Sequence, residues 1–153
     1  MRKFVKSKLK EEKGLTLIEL LAVIVILGII AAIAIPAIGN IIENSKYNAV
    51  KSDALNALSA ANLVEADDPK ALEATDGVTI KKLVDDGYLD NAGKLADSMT
   101  VKKVNKSLVI NGTTTAYSGS KTVTFNNATV KIINDDNQKG SAANNKTIPK
   151  AAS

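Results

Sequence analysis

Glu19 is the only charged residue between Leu15 and Ile42, in a stretch that is otherwise almost wholly aliphatic. A carboxylate one turn inside an apolar helix is costly unless it is paired. Two arrangements relieve that cost: pairing with a cation, or a place at the lipid headgroup boundary, helped by the positive end of the helix dipole. Covalent chemistry has little to work with here. The 153 residues include no cysteine and no histidine, which removes disulfides, thiolate metal sites and the commonest metal ligand and general base. Hydrolases and transferases built on Cys-His or Ser-His pairs are excluded. No paired-carboxylate constellation suggests catalysis, and no catalytic residue, cofactor or metal is expected. Asp67-Asp68, Asp85-Asp86 and Asp135-Asp136 offer oxygen ligands, but none has EF-hand spacing and all read as solvated turn acids.

The elements that must position Glu19 follow from charge and periodicity. Basic residues exceed acidic ones by 20 to 16, but residues 1–14 hold Arg2, Lys3, Lys6, Lys8, Lys10 and Lys13 against Glu11 and Glu12. From position 15 onward 14 basic residues face 14 acidic ones, so nucleic acid is not an expected ligand. A cationic cluster beside an apolar run favours the cytoplasmic side of a membrane. Residues 20–42 carry no charge, and only Gly28, Pro36, Gly39 and Asn40 interrupt the aliphatic run. At helical rise these residues span roughly 34 Å, enough to cross a hydrocarbon layer of about 30 Å. Beyond them Tyr47, Val50, Ala54, Ala57, Ala61 and Val64 keep 3-4 spacing, so one helix is expected over residues 15–66, stopped by Asp67, Asp68 and Pro69. Pro36 lacks an amide proton, and with Gly39 it predicts a kink or local opening over residues 32–39.

Thr79 can cap a short helix that Gly87 ends. Strands are expected over residues 99–104, 107–111, 121–125 and 129–133, punctuated by Asn-Lys, Asn-Gly and Asn-Asn and forming an antiparallel sheet. Residues 134–153 contain Ile148 as their one large apolar side chain and should be loosely ordered unless a neighbour holds them. The Ala-rich positions 54, 57, 60 and 61 are expected to face the protein's own sheet.

The stretch Lys13-Gly14-Leu15-Thr16-Leu17-Ile18-Glu19-Leu20-Leu21 resembles the class III signal of type IV prepilins and pseudopilins. The resemblance implies that a membrane-embedded aspartyl prepilin peptidase cuts between Gly14 and Leu15 and N-methylates Leu15, leaving 139 of the 153 residues. Gly14, without a side chain, lets the backbone lie extended against a protease. Cleavage before the apolar segment removes the basic leader and keeps the anchor. Glu19 then falls fifth in the mature chain, where the family's glutamate is thought to meet the N-terminal amine of an adjacent subunit. Pro36 falls at mature position 22, where pilins often carry a proline associated with helix melting. Leu15 stands where the family usually has Phe, and the C-terminal disulfide common in Gram-negative pilins is impossible, which suggests a Gram-positive or other thiol-poor lineage.

The expected fold is α+β: a long N-terminal helix, half apolar and half amphipathic, packed on a small antiparallel sheet in a pilin-like ladle. Its expected parts are a leader over residues 1–14, a transmembrane and filament-core helix over 15–42, an amphipathic helix with a globular α+β head over 43–133, and a tail over 134–153. The expected function is structural: a non-enzymatic pilin, single-pass in the cytoplasmic membrane before assembly and extracellular afterwards. Its homo-oligomeric filament would serve adhesion, twitching motility or related surface functions. Prepilin peptidase, an assembly ATPase and a platform protein are the implied partners. The alternatives are a pseudopilin of type II secretion or DNA uptake, and a single-span anchored binding domain outside the family.

Overall fold

The computed structural model describes residues 2–150, with side chains from Thr16 onward. The chain forms two compact units divided between Asn40 and Ile41. Helix α1 (Arg2–Asp67) supplies all of the first unit's described structure and the first element of the second. Within the first unit its backbone is helical through residues 32–39, Pro36 and Gly39 included. The large apolar side chains from Leu17 to Ile42 are all exposed, from 49 % at Ile42 to 71 % at Ile33. A helix apolar on every side finds its solvent in lipid or in neighbouring helices.

The second unit is organised by the amphipathic part of α1. Tyr47, Val50, Ala54, Ala57, Leu58, Ala61 and Val64 recur at three- and four-residue steps and are all buried. Ala54, Ala57, Ala60 and Ala61 face this unit's own core, as the sequence predicts. The helix ends at Asp67; Asp68 then accepts the Lys70 amide at 3.1 Å and caps α2 (Pro69–Glu73), whose first residue is a proline. Strand β1 (Val78–Thr79) leads directly into α3 (Ile80–Asp85). Thr79 Oγ1 caps α3 through the Lys82 amide at 3.2 Å, and Gly87 follows with φ +79°.

Strands β2 (Thr100–Val104), β3 (Ser107–Thr113), β4 (Val123–Ala128) and β5 (Lys146–Ile148) complete a sheet of order β1-β2-β3-β4-β5. Asn105 and Lys106 close the β2–β3 hairpin with φ 48° and 67°, the left-handed pair that a type I′ turn requires. A register shift between Ile110 and Gly112 carries β3 past its expected end at 111. Gly112 stands there at φ +121°, where an added Cβ would lie 2.7 Å from Met99 Cγ.

Three expectations need correction. The sheet is mixed, because β4 and β5 run parallel. Residues 129–133, expected as a strand, supply the N-cap and most of α4 (Val130–Asp135): Asn127, the penultimate residue of β4, takes φ 46°, and Thr129 Oγ1 accepts the Ile132 amide at 3.3 Å as an N-cap. The tail is held, and by this unit itself. Gly140 accepts the Tyr117 hydroxyl at 2.9 Å, the Ser141 amide reaches Asn44 Oδ1 at 3.0 Å, and Ile148 is fully buried beside β4. Residues 151–153 lie outside the described residues.

Candidate functional site

The candidate site is the first turns of the apolar helix. Gly14 and Leu15, the expected cleavage pair and methylation site, belong to the α1 backbone but lie outside the residues whose side chains are described. Glu19 is exposed, between the exposed side chains of Leu17, Ile18, Leu20 and Leu21. It makes no ion pair among the described residues. Its position four residues after Leu15 puts the two positions on one face of a helix. Among the described residues the chain therefore carries a carboxylate without an ion-pair partner on an apolar surface, a charge that a cation can neutralise.

Pro36 and Gly39 stand further along the same surface. A Cβ added at Gly28 or Gly39 would meet nothing within 4 Å, so packing within the described residues does not demand glycine at either position. What glycine does provide is a low backbone profile and easier unwinding.

The acid pairs are spent on structure. Asp67 accepts the Tyr88 hydroxyl at 2.6 Å, and Asp68 caps α2. Asp85 and Asp86 pair with Lys81 and Lys82 one turn earlier, and Asp135 pairs with Lys131. Among the described residues no group of three or more potential ligands could hold a metal ion. Asp136 departs from the solvated reading: its side chain is 5 % exposed, and it accepts the Tyr47 hydroxyl at 2.7 Å with Lys51 Nζ at 3.4 Å. Burial first, and then Asp136, push the Tyr47 hydroxyl well above the ordinary phenol range.

A second cluster fastens the start of the second unit. Glu43 accepts from Lys121 Nζ at 2.8 Å and from the Ser118 hydroxyl at 3.0 Å, and Lys121 also reaches the Ser141 carbonyl at 3.3 Å. The Lys121 hydrogen bond, followed by that of Ser118, holds the Glu43 carboxyl below its usual range. Sequence reasoning missed this cluster. Its one local signal is Glu43 standing directly after the apolar run, while its partners lie 75 and 78 residues away.

Comparison with known proteins points to the same end of the chain. Residues 9–35 match the family described as Prokaryotic N-terminal methylation motif, a span that contains Gly14, Leu15 and Glu19. The chain is similar to two proteins of Dichelobacter nodosus, each described as Type IV major fimbrial protein FimA. One is 39 % identical over 77 residues, covering 50 % of this chain and 49 % of the relative. The other is 41 % identical over 73 residues, covering 48 % and 46 %. The chain thus spans about half the length of the relatives it matches. No solved structure matches it.

Proposed function

We propose that this chain is the precursor of a type IV pilus structural subunit, cleaved after Gly14, N-methylated at Leu15 and built into a homo-oligomeric filament through its apolar helix. The observation that carries the reading is the run from Lys13 to Leu21 within the matched residues 9–35: cationic leader, glycine, then an apolar helix with a single acid at Glu19. The helical backbone of α1 and the unrelieved exposure of its large apolar side chains support it, since such a surface needs a lipid or protein environment.

In this reading residues 15–42 first anchor the subunit in the cytoplasmic membrane, crossing it once. In the filament the same surface packs on equivalent helices, exchanging lipid contacts for van der Waals packing. The new amine of Leu15 in one subunit pairs with Glu19 of a neighbour, and the burial of that pair fixes one axial register. Pro36 and Gly39 provide a segment that can bend during packing. Prepilin peptidase acts at Gly14–Leu15, and an assembly ATPase and a platform protein drive insertion. The similarity to major fimbrial proteins favours a major pilin over a pseudopilin.

Mass spectrometry of the N-terminus, on native membranes and on sheared surface material, tests the proposal. The expected peptide starts at Leu15 and carries an N-methyl group. An intact Met1 or Arg2 terminus on the exported protein would overturn the reading in favour of a simple anchored domain.

A further inference from the structure

Beyond Ile42, two large apolar side chains remain exposed among the described residues: Leu63 at 57 % and Val130 at 46 %. Each sits in its own open groove, and α1 is a wall of both. Leu63 shares a groove of about 520 Å³ with Asp53, Asn56, Tyr88 and Asp90. Val130 shares one of about 430 Å³ with Asn62, Glu65, Lys106 and Lys131.

The grooves differ in sign. Asp53 accepts the Lys94 backbone amide at 2.9 Å, and neither Asp53 nor Asp90 has an ion-pair partner among the described residues. In the other groove Glu65 is already neutralised by Lys103, and Lys131 by Asp135, while Lys106 projects from the tip of the β2–β3 hairpin with no ion pair among the described residues. One groove therefore offers an apolar side chain beside uncompensated carboxylates. The other offers an apolar side chain beside an uncompensated ammonium group. An apolar centre inside a charged rim is the usual composition of a protein–protein contact, and charge of opposite sign sets its register.

We infer that the Val130, Lys106 and Lys131 surface of one copy docks in the Leu63, Asp53 and Asp90 groove of the next. The two surfaces are different patches of one chain, so the contact is heterologous and repeats without limit unless its rotation closes a ring. This is the symmetry an open helical fibre needs. The inference rests on the filament reading above and adds to it a head-to-head contact that does not involve the apolar helix.

The test uses the full chain in cells that assemble the wild type, comparing sheared fibre with the processed subunit left in membranes. Asp90→Lys and Lys106→Glu each place like charges across the contact, and each should cut sheared fibre by roughly tenfold. The double variant restores opposite charges and should recover most of the fibre. Leu63→Ser combined with Val130→Ser should lose fibre without recovery. All four side chains are at the surface, so the membrane pool beginning at Leu15 should stay at wild-type level and report an intact subunit. Single reversals that shear like the wild type, or a double variant no better than its parents, would overturn the inference alone. Wild-type cells with neither fibre nor a Leu15 terminus would overturn the filament reading and this contact with it.

Discussion

The Tyr47 hydroxyl donates to Asp136 Oδ2 at 2.7 Å across 89 residues of sequence, tying the amphipathic part of α1 to the segment that follows α4. Lys51 completes the arrangement, donating to the Asp136 carbonyl at 2.6 Å with its Nζ 5.7 Å from the Tyr47 ring centroid. Tyr47→Phe would keep the ring and leave the buried carboxylate with Lys51 and with the Gln138 side-chain amide, which donates to Asp136 Oδ1 at 2.7 Å. Hydrogen bonds to charged groups contribute about 1.5–3 kcal/mol, so a loss of that order is expected. Denaturant unfolding of the full chain in detergent should show a lower midpoint with an unchanged slope. An unchanged midpoint would mean that the hydroxyl adds nothing to what Lys51 and Gln138 already provide.

Glu43 predicts an acid-sensitive clasp. Its folded-state carboxyl is held below the ordinary value, first by the Lys121 hydrogen bond and then by Ser118. A group with a depressed folded pKa contributes stability that is complete above its unfolded pKa, about 4.3 for Glu, and is lost as pH falls through the folded value. Thermal midpoints of the wild type should therefore fall below about pH 4.3. Those of Glu43→Gln should start lower and lose less over the same acid range. Parallel curves for the two proteins would contradict the assignment.

Gly140 tests whether the tail must lie against α1. A Cβ built there would sit 2.7 Å from the Glu43 carbonyl oxygen and would meet the Tyr47 Cβ as well. Both obstacles are close to the helix backbone and cannot swing aside, so Gly140→Ala should cost about 1–3 kcal/mol, the range for overpacking. The same variant should open residues 134–150 to limited proteolysis, because the Tyr117–Gly140 and Asn44–Ser141 hydrogen bonds are strained together. Wild-type protection against protease would place the stabilising contacts elsewhere in the tail.

These three contacts also show where the sequence is legible. Residues 47–64 announce their buried stripe because a helix repeats its own face every three or four positions, and Thr79 announces α3 because a cap lies within three residues of the amide it accepts. Thr129 carries the same signal, but Val130 and Ile132 alternate with Thr129 and Lys131 in a way that imitates a strand. Strand β5 is only three residues long, and its pairing of Val123 with Lys146 crosses 23 residues in parallel, so no local pattern encodes it. Asp136 looks like a turn acid because the two partners that tie it to α1, Tyr47 and Lys51, are 89 and 85 residues away. The candidate site is the opposite case. Gly14, Leu15 and Glu19, the residues of the proposed site, lie within one short segment, so the pattern that proposes them is local, and residues 9–35, which match the N-terminal methylation motif, contain all three.

That segment yields the last prediction. Glu19 has no ion-pair partner among the described residues and stands among exposed apolar side chains. If the Leu15 amine of a neighbour is its partner, then Glu19→Gln leaves that amine unpaired in an apolar filament core. Breaking a buried pair by removing one member costs about 3–5 kcal/mol. In the proposed function cleavage depends on Gly14 and the leader, so the variant should still yield a Leu15 terminus. Sheared fibre, by contrast, should fall to a small fraction of wild type while processed subunit accumulates in the membrane. If Glu19→Gln instead assembles at the wild-type level, the carboxylate serves at the headgroup boundary and not between subunits.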